Sequence, residues 1–541
     1  MKRTVLGLLI VAGGAACMAL GQNQPDQEEG PGREVARISL INGEVSVRRG
    51  DSGEVVAAAL NAPLVAEDQL LTGPGARAEV QFDWANMVRL APLSEVHLSE
   101  LENQRYQIQV ARGMVTFRVL RESNAQVEIS TPSVSVRPVQ QGTYRIVVRE
   151  DGTSQITVRG GEAEIFTPRG SERLPAGRTM LTRGTASDPE FQILQAVAQD
   201  DWDRWNDNRD RQLAQSRSYN YVSRDIYGAE DLDSYGTWQQ DPSYGDCWYP
   251  RVGYDWAPYR DGRWSWLDWY GWNWVSFDPW GWAPYHYGRW FYTANRGWGW
   301  WPGARFGRHY WSPGLVAFVG WDSWGGVRAG LGFGGIGWIP LAPYERYYPW
   351  YGNRRGIGPG LVNNFDLNSG YRNARVRGAI TGVDGRGFVS GRRGSAVQPG
   401  DGRLGSASLV RGSLPVTPGR SSTGFVNRQQ AMRGSALSGN GSVGSQGWRR
   451  FGTGSGSSSP QYQRPGSSSP QGNRAGGQPQ VRVNPPIVRE RAPSYNGGGY
   501  TRSAPSSGGG GSYSRPAPSS SGGGHSSGGS AGGAGHQGRS R

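Results

Sequence analysis

Between residues 33 and 183 apolar and polar side chains alternate in short runs separated by Gly and Pro. Ile38-Ser39-Leu40-Ile41, Glu44-Val45-Ser46-Val47, Ala78-Glu79-Val80-Gln81-Phe82 and Gln107-Ile108-Gln109-Val110 are such runs. Gly113-Met114-Val115-Thr116-Phe117, Val134-Ser135-Val136, Thr143-Tyr144-Arg145-Ile146-Val147-Val148 and Ala163-Glu164-Ile165-Phe166 continue the series. A period of two puts successive side chains on opposite faces of a half-buried strand, so the pattern predicts an all-β domain over residues 33–185. The period then lengthens. Phe191, Leu194, Ala198, Trp202 and Trp205 recur at helical spacing with Asp and Arg on the other side, and Ser187 or Asp188 can cap a helix with Pro189 at its first position. One connecting helix is predicted over 187–215, its aromatic stripe a docking face for a neighbouring domain.

From 217 to 352 the pattern is dominated by aromatics. Nineteen of the 23 Trp fall between Trp238 and Trp350, and over residues 236–313 they follow a 26-residue period. Gly236, Gly262 and Gly288 each open Gly-x-Trp, giving Trp238, Trp264 and Trp290; Gly245, Gly271 and Gly297 precede Trp248, Trp274 and Trp300. Trp256-Ala257-Pro258-Tyr259 returns as Trp282-Ala283-Pro284-Tyr285. Trp264-Ser265-Trp266 and Trp272-Asn273-Trp274 alternate like strands around a glycine turn, so each unit predicts a β-hairpin. A hairpin this short is unstable alone, and neighbours must share aromatic faces. Most of these rings are expected to be core, because each buries about 150–250 Å². A subset, Trp256, Tyr259, Trp264, Trp282, Tyr285 and Trp290, is expected to line an exposed groove and stack on sugar rings.

Residues 353–541 lose large apolar side chains to Gly, Ser, Pro, Gln and Arg, as in Gly454-Ser455-Gly456-Ser457 and Gly508-Gly509-Gly510-Gly511. Such a segment cannot bury enough apolar area to offset its ordering entropy, and a long disordered tail is predicted. The expected fold class is therefore mainly β: an all-β domain, one helix, a Trp-rich hairpin module and the tail.

Charge changes this picture in one respect. Residues 351–541 hold 24 Arg against four acids, or +20, so residues 1–350 carry +14 − 20 = −6. Lys2 is the only lysine, and Arg, which stacks on aromatic faces and pairs with carboxylates, suits a Trp-rich protein. At the other end, Lys2 and Arg3 precede an apolar run from Val5 to Ala16 and a small-x-small site, Ala19-Leu20-Gly21. This reads as a signal peptide over 1–21, since the run is only about a dozen residues where roughly 20 would span a bilayer. The expected location is the periplasm or cell envelope, with Cys17 as an alternative lipid acceptor and no integral membrane segment after cleavage. Outside the cytoplasm the cationic tail would meet anionic envelope polymers, and no nucleic-acid partner is expected.

Gly43-Glu44-Val45, the turn Leu71-Thr72-Gly73-Pro74-Gly75-Ala76-Arg77, Val88-Arg89-Leu90, Gly113-Met114-Val115, Gly142-Thr143-Tyr144 and Leu174-Pro175-Ala176-Gly177 occur in the order seen in FecR-type periplasmic domains, which the first region resembles. The resemblance implies an extracytoplasmic β-rich interaction domain that, in regulatory members, relays a signal to an anti-sigma segment. Only Met1-Lys2-Arg3 precede the apolar stretch here, so binding rather than transmembrane signalling is expected. The second region, with Asp231-Leu232-Asp233-Ser234-Tyr235-Gly236-Thr237-Trp238 and Gly337-Trp338-Ile339-Pro340-Leu341-Ala342-Pro343-Tyr344-Glu345, resembles an uncharacterised Trp-rich bacterial family of the DUF6600 type, which brings no chemistry with it.

No catalytic, cofactor or metal site is predicted. His97, His286 and His309 stand at no metal-ligand spacing with one another or with Cys247. Gly330-Leu331-Gly332-Phe333-Gly334-Gly335 lacks the strand-turn-helix setting of a dinucleotide loop. Asp255, Asp261, Asp268 and Asp278 lie among aromatics as glycosidase carboxylates do, but Asp261 and Asp268 fall where turns are expected. The sequence thus points to an exported, non-catalytic envelope binding or scaffold protein whose partner is a cell-wall glycan or an envelope protein. The alternatives are an accessory component of a FecR-like sensing system and a glycan-processing enzyme.

Overall fold

The computed structural model describes residues 33–102, 104–321, 333–351, 360–363, 365–398, 401–405, 407–425 and 449–450. The export segment, Cys17 and most of the tail beyond residue 425 lie outside the described residues, as does the first half of the 330–335 glycine run.

The alternating runs form two sheets that share one long strand, Arg105–Val119. Its first half pairs with Glu95–Glu102 and, in parallel, with Gln126–Ser130; its second half pairs with Asn86–Leu90 and Gly142–Val148. Gly113 stands near the passage from one sheet to the other. Its φ is +88°, and a Cβ there would come within 2.5 Å of Ser94, so glycine alone meets both conditions without strain. Val80, Val88, Phe117, Ile146, Ile156 and Met180 point inward from one sheet and meet Val47, Leu70, Val96, Ile108, Val136 and Ile165 in a single core. The mainly β architecture follows the period-two pattern directly.

The connecting helix is shorter than predicted. It spans Asp201–Ala214, and the segment expected to start it is the strand Asp188–Gln195, paired along its length with Arg178–Thr185. The β domain therefore ends ten residues later than residue 185. Pro189 sits opposite Gly184 near the start of that strand, where a missing N–H is tolerated, and sheet pairing overrides its value as a helix opener. The helix actually begins where Asp200 and Asp203 form a reciprocal capping box. It docks on the outer face of the sheet mainly through polar contacts. Trp202 Nε1 donates to Thr116 Oγ1 at 2.8 Å, Arg89 donates to Asn206 Oδ1 at 3.1 Å, and Arg145 and Arg159 both reach Asp203.

The 26-residue period is a set of three hairpins: Gly236–Asp241 with Gly245–Pro250, Gly262–Leu267 with Gly271–Ser276, and Arg289–Thr293 with Gly297–Trp301. Equivalent tryptophans occupy equivalent registers, Trp238 opposite Trp248, Trp264 opposite Trp274 and Trp290 opposite Trp300. Gly245, Gly271 and Gly297 have φ of +78°, +70° and +75° at the turns. At the other end, a Cβ on Gly236, Gly262 or Gly288 would overlap the indole of Trp248, Trp274 or Trp300. The period thus records one local requirement repeated three times. Stacking is not uniform, because the first and third hairpins join edge to edge at Trp248 and Trp300 while the second forms its own sheet.

A fourth hairpin, Val316–Trp321 with Gly335–Pro340, sets Phe318 opposite Trp338. It anchors a six-stranded sheet whose other strands, Gly360–Val362, Thr381–Asp384, Ser395–Ala396 and Ser408–Arg411, come from the segment predicted to be disordered. The predicted tail boundary at 353 is thereby corrected, since the described residues between 360 and 425 include strands paired into this sheet. Phe388 packs 4.7 Å from Trp272, and Phe425 lies under the Arg49 guanidinium of the β domain at 5.2 Å. A few well-placed apolar residues suffice here because the hairpin cores already supply the surface they cover.

Candidate binding surface

The β domain and the Trp module meet at a buried ionic cluster. Arg37, fully enclosed, bonds Gln81 at 2.6 Å and Asn61 at 3.2 Å on its own side, then Asp231 at 2.6 Å and Glu230 at 2.7 Å across the boundary. Glu79 on the same sheet is held by Arg89 and by Arg209 of the helix. Burial opposes ionisation of Glu79, but the two guanidinium groups together keep it well below the usual carboxylate range. Burial pushes Asp231 up to about 6 against the pull of Arg37, with Glu230 as a like charge beside it. Burial works against Glu230 as well, yet Arg37 and the Tyr219 hydroxyl hold its pKa down. Asn61 Nδ2 also donates to Asp278 O at 3.2 Å, and the Tyr227 hydroxyl donates to Val35 O while its ring packs 5.5 Å from Trp282. Asn61, Arg37 and Tyr227 fasten the hairpin module to the sheet.

The six side chains predicted to stack on a ligand do not form an exposed groove. Tyr259, Trp264, Trp282, Tyr285 and Trp290 are buried, and Trp256 is half-buried against Trp280 and Trp290 at 5.6 and 5.4 Å. Tyr259 donates to Tyr285 O at 2.6 Å and accepts from Leu315 N at 3.0 Å; Tyr285 donates to Asp278 Oδ2 at 2.6 Å. Trp290 Nε1 donates to Pro284 O at 2.8 Å. For Trp264 and Trp290 the reason is the pairing itself, since two indoles facing each other across a hairpin turn inward and shield one another; Tyr259 and Tyr285 enclose each other at 4.9 Å, and Trp282 is covered by Trp311 at 6.1 Å. These rings hold the module together.

Two buried titratable groups lie among them. Burial pushes the Asp278 carboxyl up to about 6, although the Tyr285 and Ser276 hydroxyls favour its charged form. His286 lies between Trp282 and Trp311, its Nδ1 2.7 Å from Ser312 O, and burial depresses its pKa to about 3. Because the folded value lies below the ordinary one, the stability this neutral ring allows is present above about pH 6.5 and is lost as pH falls toward 3. Relative to His286→Gln, the wild-type protein is expected to lose about 2 kcal/mol by pH 5. Asp278 has the opposite sign, since its folded value is raised: its penalty is complete above about 6 and relieved as pH falls toward 3.8. The windows overlap, so each is read as a difference, against His286→Gln and Asp278→Asn, in urea titrations between pH 4 and 8. A difference for His286 that does not change over that range contradicts its neutral burial. Asp255 and Asp268 are exposed, Asp268 in a hairpin turn, and Asp261 lies 3.4 Å from Arg393.

Outward-held rings occur elsewhere, at a turn and a strand end of the sheet formed by the first and third hairpins and in the turn after Gly335–Pro340. Tyr244 and Trp301 are half-exposed, and Tyr344 is 65% exposed. Trp301 lies 5.1 Å from Tyr344 at 50°, and Tyr244 lies 6.0 Å from Trp301 at 38° and 6.3 Å from Tyr344 at 42°. The rings are inclined, not stacked face to face, so each keeps part of a face open. Tyr292, also exposed, stands on the neighbouring strand. Arg372 donates from Nη1 to the Tyr244 hydroxyl at 3.2 Å. Sequence reasoning missed this group because its members come from three separate turns and strand ends; the usable signal was aromatic residues standing in turns, where the inward alternation stops.

Among the described residues no helix is long and apolar enough to cross a membrane. The family described as FecR protein matches residues 68–164, and a family of unknown function, DUF6600, matches residues 229–345. The chain thus carries a FecR region followed by a DUF6600 region. No curated protein matches it. Two crystal structures of a candidate anti-sigma factor from Parabacteroides distasonis ATCC 8503 are similar at 19% and 15% identity, each with a TM-score of 0.22. The first similarity covers 24% of this chain and 61% of that one, less than two thirds of its length; the second covers 32% and 95%.

Proposed function

We propose that this protein is a non-catalytic binding scaffold of the cell envelope, in which the FecR region and the aromatic module act as one rigid body. The observation that carries the reading is the outward ring group of Tyr244, Trp301 and Tyr344, set on a module whose other tryptophans are mostly spent on the core. Exposed clustered aromatics on an otherwise well-packed protein mark a contact surface. The buried Arg37 cluster supports rigidity, because separating the two regions would strand two carboxylates and a guanidinium.

Retention of the purified full chain on insoluble cell-wall sacculi, read by sedimentation, tests the proposal. Saturable retention is expected; an unretained protein, or one that releases soluble sugar, contradicts it. A second reading, an accessory part of a FecR-like sensing system, draws support from the FecR match over residues 68–164. Co-purification with an outer-membrane receptor or an anti-sigma protein, without retention on sacculi, would favour that reading instead.

A further inference from the structure

The tripeptide Ala-Pro-Tyr twice places its tyrosine in the left-handed region, with φ of +59° at Tyr259 and +67° at Tyr344. At the second, Glu345 N donates to Ala342 O at 3.1 Å, so Pro343 and Tyr344 are the central residues of a turn whose second position favours glycine. Tyr259 is compensated for this strain. It is fully buried, and its hydroxyl makes the two hydrogen bonds to Tyr285 and Leu315. Tyr344 is not: its ring is mostly in solvent, and its hydroxyl makes no hydrogen bond among the described residues. Strain kept where the side chain makes only two ring contacts at the surface, with Trp301 and Tyr244, points to a use outside the fold.

The surroundings indicate what that use is. Tyr344 and Trp301 offer inclined, partly open ring faces, which suit the C–H face of a sugar better than a flat base that would need parallel stacking. Beside them the Arg372 guanidinium makes one bond, to Tyr244, and no ion pair among the described residues. Glu345, the acid whose charge acts on it, is already engaged by the backbone N–H groups of Ala342 at 2.8 Å and Arg372 at 2.6 Å. The guanidinium is left with donors that match a carboxylate in a two-pronged geometry.

We infer that Tyr244, Trp301, Tyr344 and Arg372 form a subsite for a polysaccharide bearing carboxylates, with a pyranose face on Trp301 and Tyr344 and its carboxylate on Arg372. The inference rests on the binding reading above and narrows it to one ligand class and one place. The full chain is titrated with oligogalacturonate and with neutral cellohexaose, followed by Trp fluorescence and calorimetry. Oligogalacturonate is expected to bind saturably and more tightly than cellohexaose. Tyr344→Gly relieves the backbone strain, so its melting temperature should not fall, yet its affinity for oligogalacturonate is expected to drop by roughly tenfold or more. Arg372→Gln is expected to erase the preference for the acidic sugar over the neutral one. If Tyr344→Gly titrates like wild type, or wild type binds neither sugar, the subsite is overturned. In that event, wild type and Tyr344→Gly retained equally on sacculi would leave the scaffold reading standing, whereas loss of retention by wild type itself would remove both.

Discussion

Replacing Arg37 by alanine is expected to lower the unfolding free energy by about 3–5 kcal/mol, read from the urea dependence of Trp fluorescence. The size follows from what stays behind. Glu230 and Asp231 sit beside one another with side chains 6% and 19% exposed, and the fully enclosed Arg37 is the cation that each bonds most directly. Removing it leaves two like charges enclosed, with Arg209 acting on them only at longer range. The triple variant Arg37→Met, Glu230→Gln, Asp231→Asn removes the whole charge set and is expected to recover most of the loss, because a buried pair costs nearly as much to desolvate as it returns. A second expectation accompanies the first: FecR region and Trp module should unfold in one transition. An alanine variant as stable as wild type, or two well-separated transitions, would contradict the rigid-body arrangement on which the binding proposal stands.

Phe388→Ala is expected to cost about 3–5 kcal/mol, as large-to-small changes at fully buried aromatics do. Phe388 is 1% exposed and packs against Trp264, Trp272, Phe318 and Trp338, which belong to two different hairpins. Its loss opens a cavity where those hairpins meet. A chain ended at residue 352 should fare worse: it would uncover the same four rings and unpair both edges of the Val316–Trp321 and Gly335–Pro340 hairpin. A red-shifted Trp emission and loss of a cooperative urea transition are the expected readouts. If the shortened chain keeps a native-like emission maximum and midpoint, residues 360–425 contribute nothing to the core.

That second prediction marks where composition misled. Residues 360–425 look like linker because they hold few large apolar side chains, and mean composition treats each residue as if it had to find its own partners. Ile380, Phe388, Leu409 and Phe425 need no partners of their own kind, since exposed strand edges and indole faces already await them. Glycine here helps the packing. Gly382 lies against the Trp321 ring, where a Cβ would not fit. The helix begins later than its sequence pattern predicts for a related reason: Pro189 belongs to a strand whose pairing the linear pattern does not reveal.

The hairpins, their turns and the tryptophan pairing were determined by sequence alone, because each depends on groups within about 15 residues: a glycine free to take positive φ, and two indoles in matching register. The alternation of the FecR region is legible for the same reason, as side-chain direction along a strand is a local property. Which rings face water was decided only by the tertiary structure. Exposure is set by what distant segments lay over a surface, so Trp264 is closed by Phe318 and Phe388 while Trp301, at a strand end, and Tyr344, in a turn, are left partly open. The buried charges belong to the same class, since Arg37 and Asp231 are 194 positions apart and become partners only when two regions close over them.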